Sequence, residues 1–534
     1  MTGHSSREEV ERLLSAGDFS GASEALEDLL KTQPDDPQLN LYAANALLAL
    51  GDAEAALDYY HLALHYDPGC GAALRGRVQA LERLGRQERV EPAYREFLQQ
   101  NPGDPEASLE LAIVLHDRAE FEPAAAMLDS LLRLQPDEAR ALSLLGLIKA
   151  REFGQIQEGE GLVRRALTIA PGFDAARTNL GLILVLQRRY PEGIGYLDEV
   201  LRRDPEDHET RLIRAHANLR RGEFAKGWED FDARHHSRMA AKRPFRFPPW
   251  HGEQLPGKTL LVYAEQGLGD QIMYASCLPD AMTRVGRVVL ECEPRLVGLF
   301  QRSFAPAIVK AQAANRSEAR WLDEVGPVDC EIPLGSLPPL FRLQWSDFPQ
   351  HRGYLHADPA RVAAWRERLR RISPLPKIGI SWRGGAPNTR RSLRSIGLGS
   401  WGALLRLPAT FLSLQYGEVG NDLDEALNVS GATVIRFPEA EVDYDELAAL
   451  VVALDLVITV CTAVAHLAGA LGREAWVLTP AIPESRYLDH GESMPWYPSI
   501  RLIRQKHSGS WEPVIAYVAG ILASRVAPRG SRSA

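Results

Sequence analysis

The five residues Gln266-Gly267-Leu268-Gly269-Asp270 stand between an apolar run, Thr259 to Tyr263, and a helix-like pattern, Gln271 to Met282. A strand, a glycine turn and a helix N-terminus make a corner whose free N–H groups attract anions. The glycines let a ligand approach the backbone, and Asp270 puts a carboxylate where the helix begins. Such a carboxylate serves as a general base or simply as a helix cap. A second corner runs from Thr459 through Val460, Cys461, Thr462, Ala463, Val464 and Ala465 to His466. Its N–H groups from Thr462 to Val464 suit a diphosphate, and the same pattern also fits an ordinary turn capped by Thr462. Cys461 at this helix start reads as a nucleophile or as a packing thiol. Gln415 ends an apolar strand and points toward a cleft, while Trp496 and Tyr497 offer rings for stacking on a base or for packing.

Two kinds of element must position these groups. Prolines at 34, 68, 102, 136, 171 and 205 recur at intervals of 34, 34, 34, 35 and 34 residues. Ten residues after each proline come Ala44, Val78, Ala112, Gly146, Gly181 and Ala215, mostly small residues suited to close helix approach. Gly17, Gly51, Gly85 and Gly154 fall midway between prolines, where one helix ends and the next begins, with Ala119 and Arg188 replacing glycine in two units. With Ala56, Tyr60, Ala63 and Pro68 in the best-preserved unit, residues 1–239 resemble the tetratricopeptide repeat family of helical hairpins. Such arrays stack into a superhelix whose concave face captures a protein partner, or they act as spacers and oligomerisation arms.

Residues 240–257 are rich in proline and basic residues without helical periodicity, so they read as a linker in which Trp250 packs on a neighbour. Beyond it, β-rich runs alternate with helical stretches: TLLVYAE, RVVLECE, DCEIPL, KIGISW, TFLSLQ, ATVIRF, LVITV and EAWVLTP. Alternation of this kind predicts parallel sheets with crossover helices, here as two Rossmann-like lobes at 258–355 and 356–534. The final helix, Trp511 to Ser524, is expected to cap or cross back over the lobes.

With 61 basic and 70 acidic residues the chain carries a net charge of −9, which argues against nucleic acid or an anionic membrane as the main partner. Five cysteines without a CxxC pair suggest neither a disulfide framework nor a zinc cluster, and fit a reducing cytoplasm. The first residues lack the pattern of a signal peptide. The apolar region Leu447 to Leu471 is interrupted by Asp455 and His466, and reads as helix, strand and helix rather than a membrane span.

AEQGLGDQIMYASCLPDA and TVCTAVAHLAGALGREAWVLTP, supported by ISWRGG, RSIGL, SLQ and MPWYPSIRLIRQ, resemble the heptosyltransferase-like glycosyltransferases, particularly bacterial proteins that join tetratricopeptide repeats to such a domain. The resemblance implies an α plus α/β architecture, a repeat superhelix followed by a two-lobed GT-B fold. It implies a nucleotide-sugar donor held mainly by the C-terminal lobe, no metal or other cofactor, and an acceptor approaching from the N-terminal lobe. Asp270 falls on the family's general base. Donor contacts are expected from Gln266, Gly267 and Gly269, from Trp382, beside Ser381, and Arg383, from Arg394 and Ser395, and from Gln415. Cys461, Thr462, Ala463, Val464 and His466 complete the expected donor set. Arg383, Arg390 and Arg391 would join Arg394 around the diphosphate, unless they form only a solvated basic loop. Relatives usually carry aspartate at the position of Cys461, so this chain is expected to handle a different donor or pose, or to have lost activity. Some members modify surface or flagellar proteins before export, which makes a protein hydroxyl the expected acceptor, recruited by the repeats.

Other readings compete. Gly267 and Gly269 begin a dinucleotide fingerprint with Glu291 at the spacing of a ribose-binding acid, but Ile272 stands where the third glycine belongs. The DxD triplets Asp422-Leu423-Asp424 and Asp443-Tyr444-Asp445 are weak metal-site patterns in helix-like stretches. A non-catalytic scaffold with a degenerate nucleotide-sugar domain, or a transferase acting on lipopolysaccharide or another polysaccharide, is the alternative.

Overall fold

The structure is a computed structural model that describes residues 6–236, 243, 245–315, 319–385 and 391–527. Contacts divide the chain into two compact units, 1–179 and 180–534. The boundary expected at residue 240 falls among residues outside those described, and the last repeat hairpins belong to the second unit.

The first unit is a run of antiparallel helix pairs, such as Pro37–Leu50 with Ala53–Tyr66 and Ala139–Arg151 with Ile156–Ile169. Pro34, Pro68, Pro102, Pro136 and Pro171 each follow the last residue of a second helix by two positions, where a residue without an N–H cannot extend the helix. Gly17, Gly51, Gly85 and Gly154 adopt positive φ between the paired helices. Ala119, and Arg188 in the second unit, lack glycine's freedom and take the same left-handed conformation at φ 61° and 62°. The turn geometry is thus kept where its usual residue is not. The small-residue ladder marks contact between helices: a Cβ on Gly146 would lie 2.6 Å from Val163 Cγ2 and 2.7 Å from the Gly159 carbonyl.

The second unit opens within the helix Asp174–Leu186 and continues with the helices Tyr190–Arg203, His208–Arg220 and Phe224–Phe231. Phe224, Trp228 and Phe231 are buried in the core that also takes in the first sheet. That sheet contains β1 (Leu255–Tyr263), β2 (Val285–Cys292), β3 (Ile308–Ala311) and β4 (Cys330–Pro333), all parallel, in the order β3-β2-β1-β4. The expected linker already supplies the start of β1, and Trp250 is buried as expected, its indole N–H donating to the Glu253 carbonyl at 3.0 Å.

The second sheet has the order β6-β5-β7-β8-β10-β9. Its strands are β5 (Lys377–Ser381), β6 (Thr410–Ser413), β7 (Leu456–Val460), β8 (Ala475–Thr479), β9 (Ser493–Met494) and β10 (Tyr497–Arg504). Only β9 runs antiparallel to its neighbour. The expected strand at ATVIRF makes one isolated bridge, Leu412 to Ile435, and β3, β9 and β10 are additional. Leu447 to Leu471 forms helix, strand and helix. Among the described residues no helix is long and apolar enough to cross a membrane. The final helix, Glu512–Val526, packs through Val514, Ile515, Val518 and Leu522 on the second sheet's outer face, so it caps that sheet.

Candidate functional site

At the first corner β1 ends at Tyr263, and Gly267 caps a short helix, Leu268–Tyr274. Asp270 is the third residue of that helix, not its cap. The expected continuous helix is broken into Leu268–Tyr274, a 3₁₀ turn and Leu278–Met282, with Pro279 at the start of the last piece. Neither Gly267 nor Gly269 needs positive φ. Gly269 is small for another reason: a Cβ there would lie 3.1 Å from His466 Cδ2 and 3.4 Å from Ala463 Cα. The two corners recognised in the sequence therefore touch. Gln271, which no sequence pattern singles out, fastens the loop: its Nε2 donates to the Gln266 carbonyl at 2.8 Å, and its Oε1 accepts from the Glu293 N–H at 2.8 Å.

Asp270 pairs with the Arg486 guanidinium, which donates to its Oδ1. Burial works against the Arg486 charge, yet Asp270 and its neighbours hold the guanidinium above its ordinary value. Arg486 sits on the turn Ser485–Tyr487, within a strap fixed by the last repeat helices. Arg188 donates to the Asp489 carbonyl at 2.7 Å, Tyr190 donates its hydroxyl proton to Asp489 Oδ2 at 2.7 Å, and His216 Nδ1 lies 3.0 Å from Ser485 Oγ.

At the second corner Thr462 caps the helix Ala463–Ala470, accepting from the Val464 N–H at 3.2 Å. Cys461 points into the core, its sulfur 3.8 Å from the Leu478 carbonyl, and burial pushes the thiol's pKa up. A nucleophilic thiol is thereby contradicted: the helix end does not offset desolvation. His466 is buried too, with Nδ1 3.1 Å from the Tyr497 hydroxyl and Nε2 3.5 Å from that of Tyr487. Burial, then the positive Arg486 and Arg394, lowers its pKa well below the usual value, so the ring is neutral. Arg394 ties the corner to the strap, donating to the Cys461 carbonyl at 3.1 Å and to Glu484 Oε1 at 3.2 Å.

Gln415 is a buried hub: its Oε1 accepts from Ser381 Oγ at 3.0 Å and from the N–H groups of Trp382 at 3.0 Å and Arg383 at 2.9 Å. Trp382 is fully buried and donates to Asp422 Oδ2 at 3.0 Å, which also faces Arg383 Nε at 3.2 Å. Ser395 Oγ accepts from the Gly384 N–H at 3.0 Å and donates to the Arg391 carbonyl at 2.7 Å. Trp382, Gln415, Cys461 and His466 therefore shape the site from the core instead of lining a cavity. Arg390 lies outside the described residues. The acidic triplets have other partners: Asp422 serves Trp382, Asp443 caps the helix Tyr444–Ala453, and Asp445 pairs with Arg302 at 2.5 Å. Among the described residues no group of three or more His, Cys, Asp or Glu is arranged around a metal position. Glu291, buried on β2, pairs with Arg243 from the preceding linker, and burial raises its pKa, so it offers no ribose contact.

Each sheet has a switch point where its parallel strands lead off in opposite directions, and ligands favour the crevice at the strands' carboxyl ends there. In the first sheet the switch point lies between β1 and β4, where a cavity of about 540 Å³ is lined by Tyr263, Glu265, Gln266 and Pro333. The helices His208–Arg220 and Phe224–Phe231 supply another wall, and Arg486 and Trp496 close it from the second half. In the second sheet the switch point lies between β5 and β7, where a smaller cavity of about 170 Å³ meets Ser381, Ser413, Thr462, Ala463 and Val464. Its lining guanidinium is Arg295, beside β2 and bonded to Glu293 at 2.8 Å, and not one of the arginines expected from the sequence. Gln266, expected among the donor contacts, lines the larger cavity instead.

Tetratricopeptide-repeat sequence profiles match residues 7–69, 43–105, 84–148 and 178–233. The helical hairpins are tetratricopeptide repeats. Protein FlbA of Caulobacter vibrioides is 29% identical over 490 residues, spanning 88% of this chain and 82% of that protein. Among solved structures, YrrB, described as a TPR protein with an unusual peptide-binding site, is 19% identical with a TM-score of 0.29, covering 35% of this chain and 96% of that one. A tetratricopeptide repeat protein from Parabacteroides merdae is 18% identical with a TM-score of 0.35, covering 42% of this chain and 89% of that one.

Proposed function

We propose that the protein is a glycosyltransferase of GT-B architecture that moves a sugar from a nucleotide-activated donor to a hydroxyl of a protein acceptor recruited by its repeats. The observation that carries this reading is the meeting of two switch-point crevices at one helix pair: Gly269 packs on Ala463 and His466, one residue from Asp270. In this reading the donor's phosphates sit at Thr462 to Val464, with Arg295 as the cation in the same cavity. The acceptor enters from the larger cavity. Its hydroxyl oxygen bonds to the anomeric carbon, the bond from that carbon to the phosphate oxygen breaks, and the nucleoside diphosphate leaves with the electron pair. Asp270 takes the hydroxyl proton, a service worth about 10²–10⁴-fold in rate.

The test is release of nucleoside diphosphate from a panel of nucleotide sugars by the full chain and by Asp270→Asn, with donor binding followed by calorimetry. Asp270→Asn is expected to bind donor and keep its fold while losing about 10²-fold or more of turnover. Full turnover by Asp270→Asn removes the base. A chain that binds none of the donors is a scaffold instead.

A further inference from the structure

The larger cavity presents an unequal charge to whatever enters it. Arg234, Arg243 and Arg486 reach its surface against the single carboxylate Glu265. Glu265 pairs with Arg234 at 3.0 Å, while the other carboxylates that offset these arginines, Asp232, Glu291 and Asp270, stand outside the lining. Aromatic rings frame the cations: Arg234 lies 4.6 Å from the Phe231 ring centroid and Arg243 lies 5.0 Å from that of Phe245. A guanidinium set against rings is held flat and sheds water cheaply, a good receptor for a carboxylate or phosphate. Arg486 has a double position. Its side chain keeps 26% of its surface exposed and lines the cavity, while the same guanidinium is the ion-pair partner of Asp270.

We propose that this cavity is a binding site for a small organic or inorganic anion, and that the anion competes with Asp270 for Arg486 and thereby frees the carboxylate to accept a proton. The strap that carries Arg486 is anchored at both ends, by Arg188 and Tyr190 at Asp489 and by Arg394 at Glu484. The side chain can therefore exchange partners without movement of the strap. An empty cavity leaves Asp270 paired, and an occupied one leaves it available, which makes Arg486 a positioning residue. The functional part of this inference rests on the transferase reading; the anion site does not.

Calorimetric titration of the full chain with glucuronate and with inorganic pyrophosphate tests the site and separates a carboxylate from a phosphate as its ligand. At least one probe is expected to bind with one-to-one stoichiometry. Arg486→Met is expected to weaken that binding about ten-fold or more, and Arg486→Lys to restore part of it. Asp270→Asn, which removes the competing carboxylate, is expected to tighten it about three- to ten-fold. Flat titrations with both probes overturn the proposal, as does an Asp270→Asn protein that binds no tighter than the original. Circular dichroism melting checks each fold, and if Arg486→Met does not fold, the Asp270→Asn comparison decides alone. Anion binding with these dependences but no sugar transfer would sink the transferase reading and leave the site standing.

Discussion

Four side chains that the sequence marks as ligand contacts, Trp382, Gln415, Cys461 and His466, act from within the core. Gln415 accepts three hydrogen bonds on one oxygen, so Gln415→Ala would strand the Ser381 hydroxyl and two backbone donors in a buried place. Denaturant melts should show a loss of about 2–4 kcal/mol, while Gln415→Glu, whose carboxylate accepts the same donors, should lose less. His466 has a depressed folded pKa, so the unfolded chain binds a proton that the native one refuses. Stability should fall as pH drops below about 6.5, by at most about 1.4 kcal/mol per pH unit from this residue. Replacing His466 with Asn should flatten that slope in melts between about pH 7 and 5. Equal slopes would mean that the ring is protonated in the fold. The residue types at both corners were legible because strand, turn and helix leave strong local patterns. Their burial was not, because it depends on which distant helix lands on each face. Arg486 and Arg295 were missed for the same reason: each reaches the site from a segment with no motif of its own.

At the scale of elements, the repeat hairpins follow from periodicity alone, since proline and small residues act within one or two turns of chain. The left-handed turns at Ala119 and Arg188 persist without glycine because helix packing on both sides imposes the angle. Ala119→Gly should therefore stabilise the array, by about 1 kcal/mol, as a rise in its thermal midpoint. No rise would imply that the turn relaxes in solution. Sheet elements were read less completely. ATVIRF has strand composition but one bridge only, whereas β10 was masked by the prolines and aromatics of MPWYPSIRLIRQ. Edge pairing is a tertiary matter that composition does not record.

Across the whole molecule, the composition change near residue 240 is real but does not mark where the chain divides. Phe224, Trp228 and Phe231 belong to a repeat hairpin by sequence and to the sheet core by packing. A fragment of residues 180–534 should therefore melt cooperatively, whereas a fragment starting at 240 should not, having lost three large side chains from its core. Comparable melting of the two would show that the hairpin is dispensable. If the repeats recruit a protein acceptor, as proposed, removal of residues 1–179, not 1–239, should cost its modification without unfolding the rest of the chain.

Because the last hairpin is built into the sheet core while those before Asn179 pack on their own kind, gene duplication meets unequal resistance along the chain. Whole hairpins can be inserted or lost upstream with each new unit burying its face on a neighbour of the same design. At the downstream end the same event would have to rebuild the wall that holds Arg486. Lineages that retain the Tyr190, Arg188 and Asp489 anchorage should therefore vary in array length at the amino-terminal side alone.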